Sequence, residues 1–254
     1  MTSQPNFLLL TNDDGVNALG LCSLEEALRD DFDVQVVAPS QNWSGSSHAL
    51  TLKQPLYTKT HTNGFISTTG TPVDSVHIGL TRLVKKKPSM VVSGINHGAN
   101  MGDDVLYSGT IAAAMEGRFI NDISLAFSLA SFQPVNFDAA GRIANIIVKK
   151  ALALSESEPM VLNVNIPDIP YADIRGIRVT RLGRRSCPDS VQTLTDPKGN
   201  TVYWIGPPGD VEDDSPGTDF HAVSNGFVSI TPISVDKTAN KAIVEMKERF
   251  DCHF

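Results

Sequence analysis

No stretch of this 254-residue chain comes near the roughly 20 consecutive apolar residues that a helix needs to span a bilayer, so no membrane association is expected. Cysteine is scarce: Cys22, Cys187 and Cys252 are odd in number, far apart, and form no CxxC pair. That excludes a disulfide framework and a cysteine-ligated metal, and it fits a reducing compartment. Basic charge is short too, with 21 Lys and Arg against 28 Asp and Glu and a formal net charge of -7. A surface for long nucleic acid needs the opposite excess to displace phosphate counterions, so none is expected. A small anionic ligand stays open, because a metal ion and backbone amides can meet its charge locally. A signal-peptide core is also missing: the apolar run from Phe7 to Leu10 is short, follows no basic region and soon meets Asp13 and Asp14. The expected location is the cytoplasm, and the sequon Asn42-Trp43-Ser44 is then a chance match.

What is present is the composition of an ordinary folded chain, 41% hydrophobic and 19% charged, with 19 Gly and 15 Pro spread along it. "FLLLT" (7–11), "DVQVVAP" (33–39) and "SMVVSG" (89–94) are short runs too apolar to leave one face in water, which marks buried parallel strands. Leu19, Leu21, Leu24 and Leu28 recur near helical spacing between the first two, so the chain opens β-loop-α-β. A polar loop (40–48) leads to edge strands expected within 49–60 and 64–70, then a helix from Pro72 to the lysines at 85–87. A Gly- and Asn-rich loop (95–109) precedes an alanine-rich helix (110–120). "ISLAFSL", a helix over 137–154 and "MVLNVNIP" (160–167) complete the alternation. The expected fold is α/β: a doubly wound, Rossmann-like, mostly parallel sheet over residues 1–167. Residues 168–254 are expected to complete the same domain with extended hairpins over 174–186 and 191–206, then a helix, a strand and a closing amphipathic helix that serve assembly.

In an open parallel sheet, ligands bind beyond the carboxyl ends of the strands. The loops after the first three apolar strands supply, in order, Asp13 and Asp14, then Ser44, then Asn96. These are oxygen donors without a cysteine, a set suited to Mg²⁺ or Mn²⁺ rather than zinc. Taken alone, "NDDG" is also an ordinary turn and helix cap, and Ser44 and Asn96 are ordinary loop residues. Ser108, Gly109 and Thr110 open a helix whose unpaired amides can hold an anion, with glycine letting it approach; the same residues also suit a plain cap. A metal on one side and an amide-lined helix start on the other is the pairing phosphoryl transfer needs. His48 and His97 lie in the candidate loops, where a histidine can polarise substrate or leaving group, but without metal-site spacing they read first as structural or surface residues, and Trp43 either stacks on a base or anchors its loop.

Four ordered motifs, "LLTNDDGVNALG", "VVAPSQNWSGSSHALT", "GTPVDSVHIGL" and "VVSGINHGANMGDDVLYSGTIAAAMEG", closely resemble the survival protein SurE family of metal-dependent nucleotidases, and "GTDFHAVSNGFVSITP" extends the match. The resemblance implies hydrolysis of nucleoside 5′- and 3′-monophosphates, with short-chain exopolyphosphatase activity as a further expectation. It implies one divalent ion per subunit, Mg²⁺ or Mn²⁺, on Asp13, Asp14, Ser44 and Asn96, with Asp13 and Asp14 catalytic. Asn12, Gly45, Asn100, Ser108, Gly109 and Thr110 match positions lining the phosphate pocket. The family often has His where this chain has Ser234, so no helper His is assigned there. The resemblance also points to a homodimer or homotetramer with exchanged C-terminal elements, and the ribbon around "TLTDPKGNTVYWI" is the expected arm. The expected chemistry is attack on phosphorus by a metal-activated water, with Asp14 or a neighbour handling the proton; an aspartyl-phosphate through Asp13 is the alternative. A non-catalytic nucleotide sensor would share the pocket without turnover. A sugar-nucleotide transferase would need a donor-binding domain that the sequence does not supply.

Overall fold

The computed structural model describes residues 6–120, 123–154, 159–187, 191–206 and 208–252. Strand β1 (Phe7–Thr11) is buried at every position, as a strand covered by helices on both faces must be. Helix α1 (Leu19–Leu28) follows and buries Leu21, Leu24 and Leu28, and β2 (Asp33–Pro39) returns parallel to β1. Only Thr58–Thr60 (β3) of the expected edge segment is a strand, and it pairs antiparallel with β4 (Ile66–Thr68). Helix α2 (Pro72–Ile78) starts on a reciprocal cap: the Thr71 hydroxyl accepts from Asp74 N at 3.1 Å and the Asp74 carboxylate accepts from Thr71 N at 2.9 Å.

Next come β5 (Met90–His97), α3 (Gly109–Glu116), β6 (Ile123–Ala130), α4 (Phe137–Ala151) and β7 (Met160–Pro167). The remaining elements are β8 (Ile177–Val179), β9 (Arg184–Arg185), β10 (Gln192–Thr195), β11 (Thr201–Trp204), β12 (Val211–Asp213), α5 (Asp219–Ser224), β13 (Val228–Ser234) and α6 (Ile243–Phe250). The main sheet runs β3-β4-β2-β1-β5-β6-β7-β13-β8. Its interior from β4 to β7 is parallel, and β13 lies antiparallel to β7. Helices α1 and α4 bury one face, against Leu8, Leu10, Val92 and Phe127; α2 and α3 cover the other, against Leu9, Val37 and Val91. No helix among the described residues is long and apolar enough to cross a membrane.

One expected hairpin differs. Residues 174–186 do not fold on themselves: β8 joins the main sheet parallel to β13, and β9 pairs with β12. A short alternating strand does not carry its partner in its own pattern, so the sheet edge decided. The second hairpin forms as expected, with Gln192 opposite Trp204 and Thr195 opposite Thr201. Because β1 sends its connection towards β2 on one side, and β5 sends its own towards β6 on the other, the order reverses between the adjacent strands β1 and β5. The crevice beyond their carboxyl ends is where such sheets bind ligands.

Candidate active site

Asp13 and Asp14 leave the end of β1 directly into that crevice. Asp13 is only 4% exposed. Its Oδ1 accepts the Thr110 hydroxyl at 2.6 Å, and its backbone carbonyl accepts Trp43 N at 2.8 Å. Burial pushes its carboxyl up to about 6 against the restraining hydrogen bond from Thr110, and the charge of Asp14 adds to the rise. Burial likewise raises Asp14, opposed by the hydrogen bond from His97 N to its Oδ2 at 3.1 Å.

The loop after β2 lies over this pair. Asn42 Nδ2 donates to Asp14 Oδ1 at 3.4 Å, while Asn42 Oδ1 accepts both the Ser44 amide and the Ser44 hydroxyl at 2.7 Å. Asn42 therefore bridges Asp14 to Ser44. The β5 strand runs past its expected end, so Asn96 stands on the strand rather than in the following loop, next to the His97 amide that holds Asp14. Asn96 Nδ2 donates to Gly98 O at 2.9 Å, which leaves its Oδ1 for another partner. The structure thus brings Asp13, Asp14, Ser44 and Asn96 to the reversal point of the sheet.

The phosphate-pocket candidates divide. Asn12 is fully buried and closes the Asp13-Asp14 turn: its Nδ2 donates to Gly15 O at 2.9 Å and its Oδ1 accepts Gly15 N at 3.2 Å. Asn100 is buried beneath the crevice, donating from its amide N to Asn165 Oδ1 and from Nδ2 to Ser128 Oγ, both at 2.8 Å. Asn163 and Asn165 donate back to its carbonyl. It anchors the loop to the ends of β6 and β7, an arrangement no local pattern announces. Gly45 stands at the exposed loop tip with φ of 75°. Ser108 caps α3, accepting Ile111 N at 3.2 Å. At Gly109 a Cβ would lie 2.8 Å from Asp13 Cβ and 2.9 Å from both Asp13 Oδ2 and Ser46 Oγ. The glycine therefore admits Asp13 itself to the helix start, and the Thr110 hydroxyl serves Asp13 in the same way.

The two candidate histidines go elsewhere. His48 Nε2 meets Glu116 Oε2 at 3.3 Å, and Glu116 also pairs with His77 Nδ1 at 2.9 Å and Arg118 at 2.8 Å. Burial would raise Glu116, but those three partners outweigh it and hold the carboxyl at about 2. The His97 ring lies against Phe137, centroids 5.0 Å apart. From the C-terminal part, Asp219 accepts the amides of Gly102 and Gly183 at 2.8 Å, and Arg185 grips Asp104 through two nitrogens at 2.8–3.0 Å, which ties down the loop before α3.

The donors fit a hard divalent cation: two carboxylates crowded by burial, a hydroxyl and an amide oxygen, with no thiolate. Among the described residues no group of three or more His, Cys, Asp or Glu side chains could hold a metal, so half of this set is neutral oxygen.

The family model described as survival protein SurE matches residues 8–189. The chain belongs to the SurE family. It is 52% identical over 239 residues to the 5′-nucleotidase SurE of Pseudomonas putida, covering 94% of this chain and 96% of that protein. Identity to the 5′-nucleotidase SurE of Pseudoalteromonas atlantica is 47% over 241 residues, 95% and 97% of the two chains. The crystal structure of the SurE protein from Aquifex aeolicus superposes with a TM-score of 0.85 at 42% identity, covering 96% of this chain and all of that one. In this SurE chain, then, the doubly wound sheet and the motif-bearing loops belong to one shared architecture.

Proposed function

We propose that this chain is a metal-dependent phosphomonoesterase that releases phosphate and nucleoside from nucleoside 5′- and 3′-monophosphates, with short polyphosphate as a second substrate. Its membership of a family whose relatives are named 5′-nucleotidase supports the reaction class. The observation that carries the reading is the Asp13-Asp14 pair at the sheet's reversal point, with the start of α3 hydrogen-bonded to it at 2.6 Å.

Asp13, Asp14, Ser44 and Asn96 would hold one Mg²⁺ or Mn²⁺. When bound, the ion neutralises charge on phosphoryl oxygens and lowers the pKa of a water. Asp13 is committed to positioning, since its Oδ1 is occupied by Thr110 and its carboxyl is buried. That makes it a poor nucleophile for an aspartyl-phosphate. Asp14 is the more open of the two and takes the proton of the water that attacks phosphorus. The ester P–O bond breaks as the new P–O bond forms, and the proton passes to the departing nucleoside oxygen. The helix start at Gly109 and Thr110 and the loop tip at Gly45 border the space for the phosphoryl group.

Release of inorganic phosphate from AMP with Mn²⁺, its loss on chelation, and its recovery on adding metal back test the reading. Nucleotide binding without any phosphate release would leave a sensor in its place. The reading extends to a cytoplasmic homodimer or homotetramer. The β10–β11 ribbon stands apart from the main sheet with Tyr203 at 69% and Trp204 at 66% exposure, more apolar surface than an isolated ribbon keeps in water. Deleting 192–204 should lower the mass seen in sedimentation; an unchanged mass would remove the ribbon from the assembly.

A further inference from the structure

We propose that the Ser46 hydroxyl is a substrate-binding group, donating to a non-bridging oxygen of the phosphoryl group at the start of α3; this rests on the phosphomonoesterase reading above. Ser46 Oγ is buried and has no hydrogen-bond partner among the described residues. Such a group is costly to leave unmade and calls for a specific explanation. Its place supplies one. Ser46 Oγ and Asp13 Oδ2 each lie 2.9 Å from the point that a Cβ on Gly109 would occupy, so the hydroxyl shares the small volume between the catalytic carboxylate and the first residue of α3. The nearby Ser44 hydroxyl is exposed and already donates to Asn42, so Ser44 and Ser46 are not equivalent.

The loop is also built to hold Ser46 there. Its amide donates to Trp43 O at 3.1 Å, and Trp43 N donates to Asp13 O at 2.8 Å, which fixes one flank to the catalytic turn. On the other flank, Ser47 N donates to Tyr107 O at 3.1 Å and Ser47 Oγ donates to Leu106 O at 2.9 Å, next to the α3 cap. Ser47 has φ of 52°, alone among the described non-glycine residues in the left-handed region. A serine there is disfavoured, and strain of this kind persists where the surroundings over-determine it, commonly at ligand clamps. Anchors on both flanks and a disfavoured backbone beside it hold the hydroxyl against the start of α3, shielded from bulk water.

The test compares wild type, Ser46→Ala and Ser46→Thr in calorimetric binding of inorganic phosphate with Mn²⁺ present, in KM and kcat for AMP, and in Mn²⁺ half-activation, with thermal melting to check folding. A hydrogen bond to a charged oxygen predicts that Ser46→Ala weakens phosphate binding and raises KM about tenfold or more, with the Mn²⁺ midpoint within about twofold and much of the loss restored by threonine. Unchanged phosphate binding and KM in a folded Ser46→Ala would overturn the proposal while leaving the hydrolase reading intact. A shift confined to the Mn²⁺ midpoint would overturn it too, by giving the hydroxyl to the metal. If wild type binds phosphate and Ser46→Ala binds it weakly, yet neither hydrolyses AMP, the proposal stands and the hydrolase reading falls. If wild type neither binds phosphate nor hydrolyses AMP, both fall.

Discussion

Replacing Thr110 by Val keeps the shape of a fully buried side chain and removes one hydroxyl. In the structure that hydroxyl donates to Asp13 Oδ1 at 2.6 Å and holds the carboxyl at about 6 against the burial that drives it up. Hydrogen bonds to a charged group contribute about 1.5–3 kcal/mol, and 1.36 kcal/mol corresponds to one pKa unit. Losing this bond therefore moves the Asp13 carboxyl to neutrality or above. At pH 7 protons then compete with the cation for Asp13, and the Mn²⁺ concentration for half-activation should rise roughly 2- to 15-fold. At pH 8.5 to 9 the protons are gone and much of the difference should close. The assay is phosphate release from AMP over a Mn²⁺ series at pH 6.5, 7.5 and 9, with calorimetric Mn²⁺ binding beside it. A Thr110→Val enzyme with a wild-type metal midpoint at every pH and a raised KM would refute this reasoning and return Thr110 to the substrate phosphate, the role expected from its motif.

Asp14→Asn keeps the shape but removes one of the two charges in the donor set, so activity should fall by roughly 100-fold or more with the fold retained. Ser44→Ala should lose less and recover partly with added Mn²⁺; kinetics against metal concentration separate the two. Gly109→Ala places a methyl 2.8 Å from Asp13 Cβ, so activity should drop sharply with a stability loss of about 1–3 kcal/mol, read from phosphate release and urea unfolding. A fully active, equally stable variant would mean that Asp13 is not held where it stands. Glu116 has its folded carboxyl at about 2, below its ordinary 4.5, so its stabilising effect is complete above pH 4.5 and is lost as pH falls through about 2. After discounting for water beside the part-exposed His48 and His77, Glu116→Gln should destabilise by about 1–2 kcal/mol at pH 7, and the gap to wild type should shrink steadily below pH 4.5 and close below about pH 2. A gap that persists unchanged to pH 2 would show that the charge of Glu116 is not what stabilises the cluster.

The sequence by itself determined the elements whose patterns are local. Phe7–Thr11 and Asp33–Pro39 stand at their expected bounds, because a run buried on both faces can hardly be anything but an interior strand. The Pro72 helix start and the ribbon over 192–204 were equally legible, since a proline at N1 and the turn residues Asp196 to Asn200 act within a few residues. The same alternation of strands and helices fixed which ends of the strands share one edge, and so brought Asp13, Asp14, Ser44 and Asn96 to one crevice. Tertiary structure alone decided what those groups touch. Thr110 is 97 residues from the carboxylate it holds, Glu116 is 68 from His48, and Asp219 is 117 from the Gly102 amide it accepts. A cap, a lone histidine and a C-terminal acid carry no mark of such partners. The strand at Ile177–Val179 departs from its expected hairpin for the same reason, because its partner, Val228–Ile230, lies some fifty residues on. Local sequence sets which conformations and faces the backbone favours, while hydrogen bonds between distant groups form only where packing of the whole sheet brings donor to acceptor.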